Sequence, residues 1–227
     1  MAATAWSAAC TAWRGIVGAG IVTVLAACAS TPAPPDWQAN AHGALQSAVE
    51  AYLAGNTRVA DAEMTRARAE VSRTGRPALL ARAELVMCAA RVASLQLDNC
   101  PAYQALAADA EPAERAYAAF LYGRAQPIDT ALLPVHYQGV ATGRNSSIAA
   151  LPDPMSRLIA ASVLLQTSQL DPPAIDVAID TASAHGWRRP LLAWLTVQAK
   201  RADDAGNAEE ARRIRRRIDV VAAGSAR

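Results

Sequence analysis

Aromatic side chains are scarce in this chain of 227 residues. They make up 5% of it, and Phe120 is the single phenylalanine. β-Branched residues are also few beside the alanines that supply much of the 52% hydrophobic content. Alanine has the best helix propensity, and strands favour the two classes that are short here. The balance therefore argues against a sheet and predicts an all-α fold packed closely through small side chains. Lysine occurs once, at Lys200, so nearly all positive charge is arginine. The formal net charge is only +2, without the concentrated basic field that a nucleic-acid partner requires.

Histidine is nearly as rare, with only His42, His136 and His185. None has another histidine or an acid three or four positions away, the spacing a helical metal site needs. No Gly-x-Ser-x-Gly motif and no phosphate-cradling glycine loop occurs. Gly15, Gly18 and Gly20 fall in an apolar run with no phosphate to hold. The reading is a binding protein, not an enzyme, without catalytic residues, cofactor or metal.

Charge is almost absent from the amino terminus, where Arg14 is the only charged side chain before Asp36. After Arg14 comes an uncharged stretch from Gly15 to Leu25, then Ala26-Ala27-Cys28. A basic residue, a short apolar run and small residues before a cleavage point form a secretory signal pattern. The stretch from Gly15 to Ala27 holds 13 residues, whereas a membrane span needs about 20. Extending it backwards would bury Arg14 mid-bilayer at a cost of roughly 3 kcal/mol.

The sequence Leu25-Ala26-Ala27-Cys28 resembles the lipobox of bacterial lipoproteins. The resemblance implies cleavage before Cys28, diacylation of its thiol and acylation of its new amine. It also implies anchorage in the outer membrane of a Gram-negative bacterium, facing the periplasm, because Ala29 stands where aspartate commonly retains such proteins at the inner membrane. Residues 1–27 are thus expected to be the signal peptide and 28–36 a lipidated tether. Within that tether, Ser30-Thr-Pro-Ala-Pro-Pro35 is extended, because proline fixes φ and removes backbone donors.

Prolines punctuate the rest. Pro77, Pro101, Pro112, Pro154, Pro172 and Pro190 each precede an alanine- or leucine-rich stretch, as proline does at the first position of a helix. Asp153 and Asp171 stand before two of them as candidate caps. Pro154, Pro172, Pro190 and Gly206-Asn207 follow one another at steps of 18, 18 and 17 residues. About 35 residues per helix pair resembles the tetratricopeptide period. The stretch Leu191 to Val221, with Ala199, Gly206 and Ala211, and an earlier pair with Ala48, Gly55-Asn56, Ala60, Met64 and Ala67 carry the resemblance. It implies architecture only: helical hairpins in an N-terminal lobe, 37–124, and a C-terminal repeat lobe, 151–222, with a tail at 223–227. Between the lobes, Pro127, Pro134, Gly139 and Gly143 predict an irregular connection, 125–150, either a covering loop or a flap that touches a ligand.

The carboxylate pairs Glu111/Glu114 and Asp176/Asp180 have helical spacing that would suit acid/base cleavage of glycan, or they are solvated surface acids. The run Arg212-Arg213-Ile214-Arg215-Arg216-Arg217-Ile218 alternates with an inward stripe of Ala211, Ile214, Ile218 and Val221, and reads as a solvated amphipathic helix. Glu84, Cys88 and Arg91 share one helical face. Cys88 and Cys100 form either a disulfide or two buried free thiols. A bridge demands that the helix end near Leu95 or Leu97, with Asp98-Asn99 turning the chain and Pro101 opening the next helix. The expected function is a membrane-tethered adaptor for an envelope protein or peptide, pilotin-like in its more particular form. The alternative is a peptidoglycan-acting enzyme or its regulator.

Overall fold

The computed structural model describes residues 35–143 and 148–224. The expected signal segment and Cys28 lie outside the described residues. Those described form ten α-helices and no strand: α1 (Asp36–Leu53), α2 (Thr57–Ser72), α3 (Pro77–Ala93), α4 (Pro101–Gln104), α5 (Pro112–Leu121), α6 (Val135–Ala141), α7 (Pro154–Gln166), α8 (Pro172–Ala184), α9 (Arg188–Asp204) and α10 (Ala208–Ala223).

Local chemistry accounts for most helix starts. Pro77, Pro101, Pro112, Pro154 and Pro172 each open a helix. The Asp153 carboxylate accepts the Ser156 N–H at the start of α7, and the Asn207 side chain accepts the Glu210 N–H at the start of α10, each meeting an amide without an intrahelical partner. Asp171 precedes α8 without such a side-chain bond. Pro190 departs from the expected pattern, because α9 already begins at Arg188. A proline this early costs no intrahelical bond, since the first-turn amides have no partner.

Small side chains let the hairpins close. In α1 and α2, Ala44, Ala48, Ala60 and Ala67 are buried and meet Met64 and Tyr52. In α9 and α10, Ala199, Ala211 and Ile214 are buried. Gly55 turns the first hairpin at φ +90°, a conformation that costs a side chain-bearing residue dearly. Packing then runs from α3 to α7, α7 to α8, α8 to α9 and α9 to α10, while α1 leans on both α3 and α9.

Helices α3, α5, α7, α8, α9 and α10 share one apolar core, while the α1–α2 hairpin packs on α3 through two smaller clusters. Fully buried members of the shared core include Phe120, Leu121, Leu158, Ile179 and Trp194. The Trp194 indole N–H donates to the Ala93 carbonyl at 3.3 Å and so joins α9 to the end of α3. The segment expected to be irregular, 125–150, contains α6 and two 3-10 turns, Thr130–Leu132 and Ile148–Ala150. Leu133, Tyr137, Val140 and Ile148 bury themselves in the common core, and that burial supplies the order that proline and glycine content argued against. No helix among the described residues is long and apolar enough to cross a membrane.

Candidate functional site

The same segment makes one wall of a groove. Pro134 precedes α6, and Tyr137 sinks between Tyr117 and Phe120 of α5, with ring centroids at 5.9 Å and 4.8 Å. Such aromatic pairs add to the burial that pins the wall. Opposite stand Leu85, Val86 and Ala89 of α3, and the start of α7 closes one end with Met155, Ser156 and Ile159. The groove is open to solvent and has a volume of about 780 Å³. Val86 is 37% exposed, Leu132 47% and Val135 83%, and all three face this groove. Large apolar groups left in water around a concavity mark a binding surface more than scattered ones do.

Polar groups are few and placed on different elements. The Ser156 hydroxyl lies 3.4 Å from His136 Nε2, and the His136 ring tilts over Tyr137 at 4.1 Å. Asp153 is occupied with the Ser156 amide at 2.6 Å. Burial pushes the Tyr137 phenol up to about 12, against hydrogen bonds with Ser156 and Tyr117 that pull the other way. Burial, then the neighbouring Tyr137, raise Tyr117 well above its ordinary value. Both phenols therefore stay neutral, as hydrogen-bonding groups without charge. This arrangement orients polar contacts along an apolar surface. Among the described residues, the hydrogen bond of the His136 ring is to Ser156.

At the groove's edge, Arg82 of α3 donates from Nε to Glu114 Oε1 at 2.7 Å. Glu114 is buried, whereas Glu111 is exposed. The surface reading of this pair is thus corrected for Glu114, whose charge tolerates burial because a guanidinium meets it. Asp176 and Asp180 are exposed on α8, and Asp176 accepts from the Gln198 amide at 2.7 Å. The three histidines are exposed, and His185 stacks on Trp187 at 4.7 Å. No group of three metal-ligating side chains assembles among the described residues.

Cys88 and Cys100 are joined as a disulfide, with their Cα atoms 5.5 Å apart. The helix α3 stops at Ala93, Leu95 turns at φ 59°, and the Asp98 side chain accepts the Cys100 N–H at 3.2 Å. Asn99 at φ 55° and Cys100 at φ 49° complete the reversal before Pro101. The stripe of Glu84 and Arg91 beside Cys88 is paired from other elements. Glu84 receives both Nε and Nη2 of Arg68, at 2.5 and 2.9 Å, and Arg91 pairs with Asp98.

The 125–150 segment is legible in the sequence as a candidate flap, whereas Val86, Ser156 and the Arg82–Glu114 pair carry no local signal. Arg82 and Glu114 lie 32 positions apart, beyond any helical periodicity. Comparison with protein-family models, curated proteins and solved structures finds no match to this chain.

Proposed function

We propose that this chain is a lipid-anchored helical adaptor of the outer membrane, facing the periplasm, whose groove grips an apolar segment of another envelope protein. The observation that carries the reading is the gathering of exposed Val86, Leu132 and Val135 around one groove of about 780 Å³. That volume is within the range of roughly 300–1,000 Å³ usual for ligand sites. An amphipathic segment would lay its apolar face on Leu85, Val86 and Val135, and its polar edge would meet Ser156, His136 and the Arg82–Glu114 pair. Anchorage is supported by the Leu25-Ala-Ala-Cys28 pattern. The α1–α2 and α9–α10 hairpins support kinship with tetratricopeptide-type repeats, and a pilotin-like role in a secretion or pilus machine is the more particular form of the reading.

The neutral apolar fluorophore N-phenyl-1-naphthylamine tests the groove. It binds the wild-type protein, and the Val86→Asp/Val135→Asp variant loses about 10-fold in affinity, since a carboxylate in an apolar contact is costly to desolvate. Equal binding by the variant, at an unchanged melting temperature, refutes the groove as the site. The peptidoglycan-enzyme alternative predicts release of soluble fragments from purified cell wall, and the adaptor reading predicts none.

A further inference from the structure

The arginine run of α10 builds a second surface, remote in sequence from the groove residues. Both α8 and α10 pack on α9, and between them lies a recess of about 400 Å³. Its floor is Leu191 and Leu195 of α9, both buried. Its α10 wall carries Arg213, Arg216, Arg217, Val220 and Val221, positions that helical spacing of three and four puts on one face. Val220 is 74% exposed there.

The charges on this wall are not balanced from within. Arg213 is held by Glu210 through two hydrogen bonds, at 2.7 and 2.6 Å. Arg215, on another face, pairs with Asp203. Among the described residues Arg216 and Arg217 make no hydrogen bond or ion pair, and no carboxylate lines the recess. Glu210 lies outside it and has its pKa lowered mainly by the Arg213 hydrogen bond, with a smaller contribution from the charge of Arg217. The recess therefore presents an apolar floor beside Arg216 and Arg217, to which no carboxylate among the described residues is hydrogen-bonded.

We propose that this recess docks an acidic amphipathic peptide segment of a partner protein, with an apolar side chain against Leu191 and Val220 and carboxylates on Arg216 and Arg217. Guanidinium groups suit this role because their fork of donors matches carboxylate geometry. Concavity selects a peptide over a lipid surface. A side chain reaches the floor between α8 and α10, whereas a bilayer would meet only the rim. Charge complementarity of this kind sets specificity and association rate.

The test uses the full mature chain and a fluorescent synthetic helix bearing leucines on one face and glutamates three and four positions away. A second peptide carries glutamine in place of every glutamate. The glutamate peptide binds about 10-fold tighter than the glutamine peptide. Arg216→Gln/Arg217→Gln removes that preference, and Arg212→Gln, outside the recess, preserves it. Arg216 and Arg212 are exposed and Arg217 is partly so, and matching circular dichroism melts confirm that the variants fold. Vesicles of phosphatidylglycerol and phosphatidylethanolamine form the competing arm. Equal binding of the two peptides, no binding of either, or a preference unchanged in the double variant overturns the proposal. Binding to vesicles that depends on Arg216 and Arg217, without glutamate-peptide binding, overturns it in favour of a lipid surface.

Discussion

The Arg189 guanidinium lies 4.2 Å from the centroid of the Tyr52 ring, joining the carboxyl-terminal half of the chain to its first hairpin. Arg189 Nε also donates to the Tyr52 carbonyl at 2.8 Å, and Nη2 to the Thr57 hydroxyl at 2.7 Å. One side chain thereby satisfies the carbonyl near the end of α1, stacks on its aromatic face and reaches the start of α2. The Tyr52 hydroxyl in turn donates to Gln96 at 2.6 Å, tying α1 to the loop that carries the disulfide.

A double-mutant cycle measures this junction. Arg189→Ala is expected to destabilise the fold by about 1–3 kcal/mol in urea unfolding, the range for hydrogen bonds and a partly desolvated cation–π contact. Tyr52→Leu keeps the backbone carbonyl and removes only the ring and its hydroxyl. A coupling energy near zero between the two variants would show that the stacking contributes nothing.

The disulfide gives a second expectation. Denatured without reductant, a Cys10→Ser/Cys28→Ser variant, which keeps only Cys88 and Cys100, offers no thiol to Ellman's reagent. Replacing both by alanine lowers stability by about 3 kcal/mol, the entropic value for a loop of this size. Two reactive thiols per chain would contradict the bridge.

Stability at alkaline pH follows from the buried phenols. An unfolded chain releases the Tyr137 proton near 10, whereas the folded chain holds it to about 12. Because the folded pKa is the higher one, its contribution is fully present below pH 10 and is lost as pH rises towards 12. The loss from Tyr137 amounts to about 2–3 kcal/mol, and Tyr117 acts in the same direction. Urea midpoints should fall steeply over this window, and more gently in Tyr137→Phe. A wild-type midpoint constant between pH 10 and 12 would contradict the burial argument.

Processing supplies the fourth prediction. Mass spectrometry of the membrane fraction is expected to find an acylated Cys28 as the first residue. Cys28→Ser is expected to remain unprocessed by the lipoprotein pathway. A Cys28→Ser protein that is still cleaved before position 28 and still membrane-bound would refute the lipobox reading.

Several of these features were open to reading along the chain. Alanine content and helix-opening prolines announce α3, α4, α5, α7 and α8 because their causes lie within a few residues of the helix start. The Cys88–Cys100 reversal was similarly legible: a short loop, an Asp98 that bonds two residues ahead, and a proline ready to restart a helix. Pro190 stands two residues inside the helix, since Arg188 and Arg189 begin α9 ahead of it.

The groove and the ion pairs belonged to the other category. The spacing of Glu111 and Glu114 cannot distinguish a wet acid from a buried one. Glu114 is buried because α5 turns it towards α3, where Arg82 neutralises it. Segment 125–150 carries the residues of a loop, yet Leu133, Tyr137 and Val140 find places in a core already formed by α5 and α7. By itself, the sequence determined where α3, α4, α5, α7 and α8 begin, because helix propensity and proline geometry act over one turn. Tertiary structure alone decided which acids are buried, which valines remain in water around the groove, and which arginines have no carboxylate partner among the described residues. Each of those outcomes depends on an element brought close in space from far along the chain.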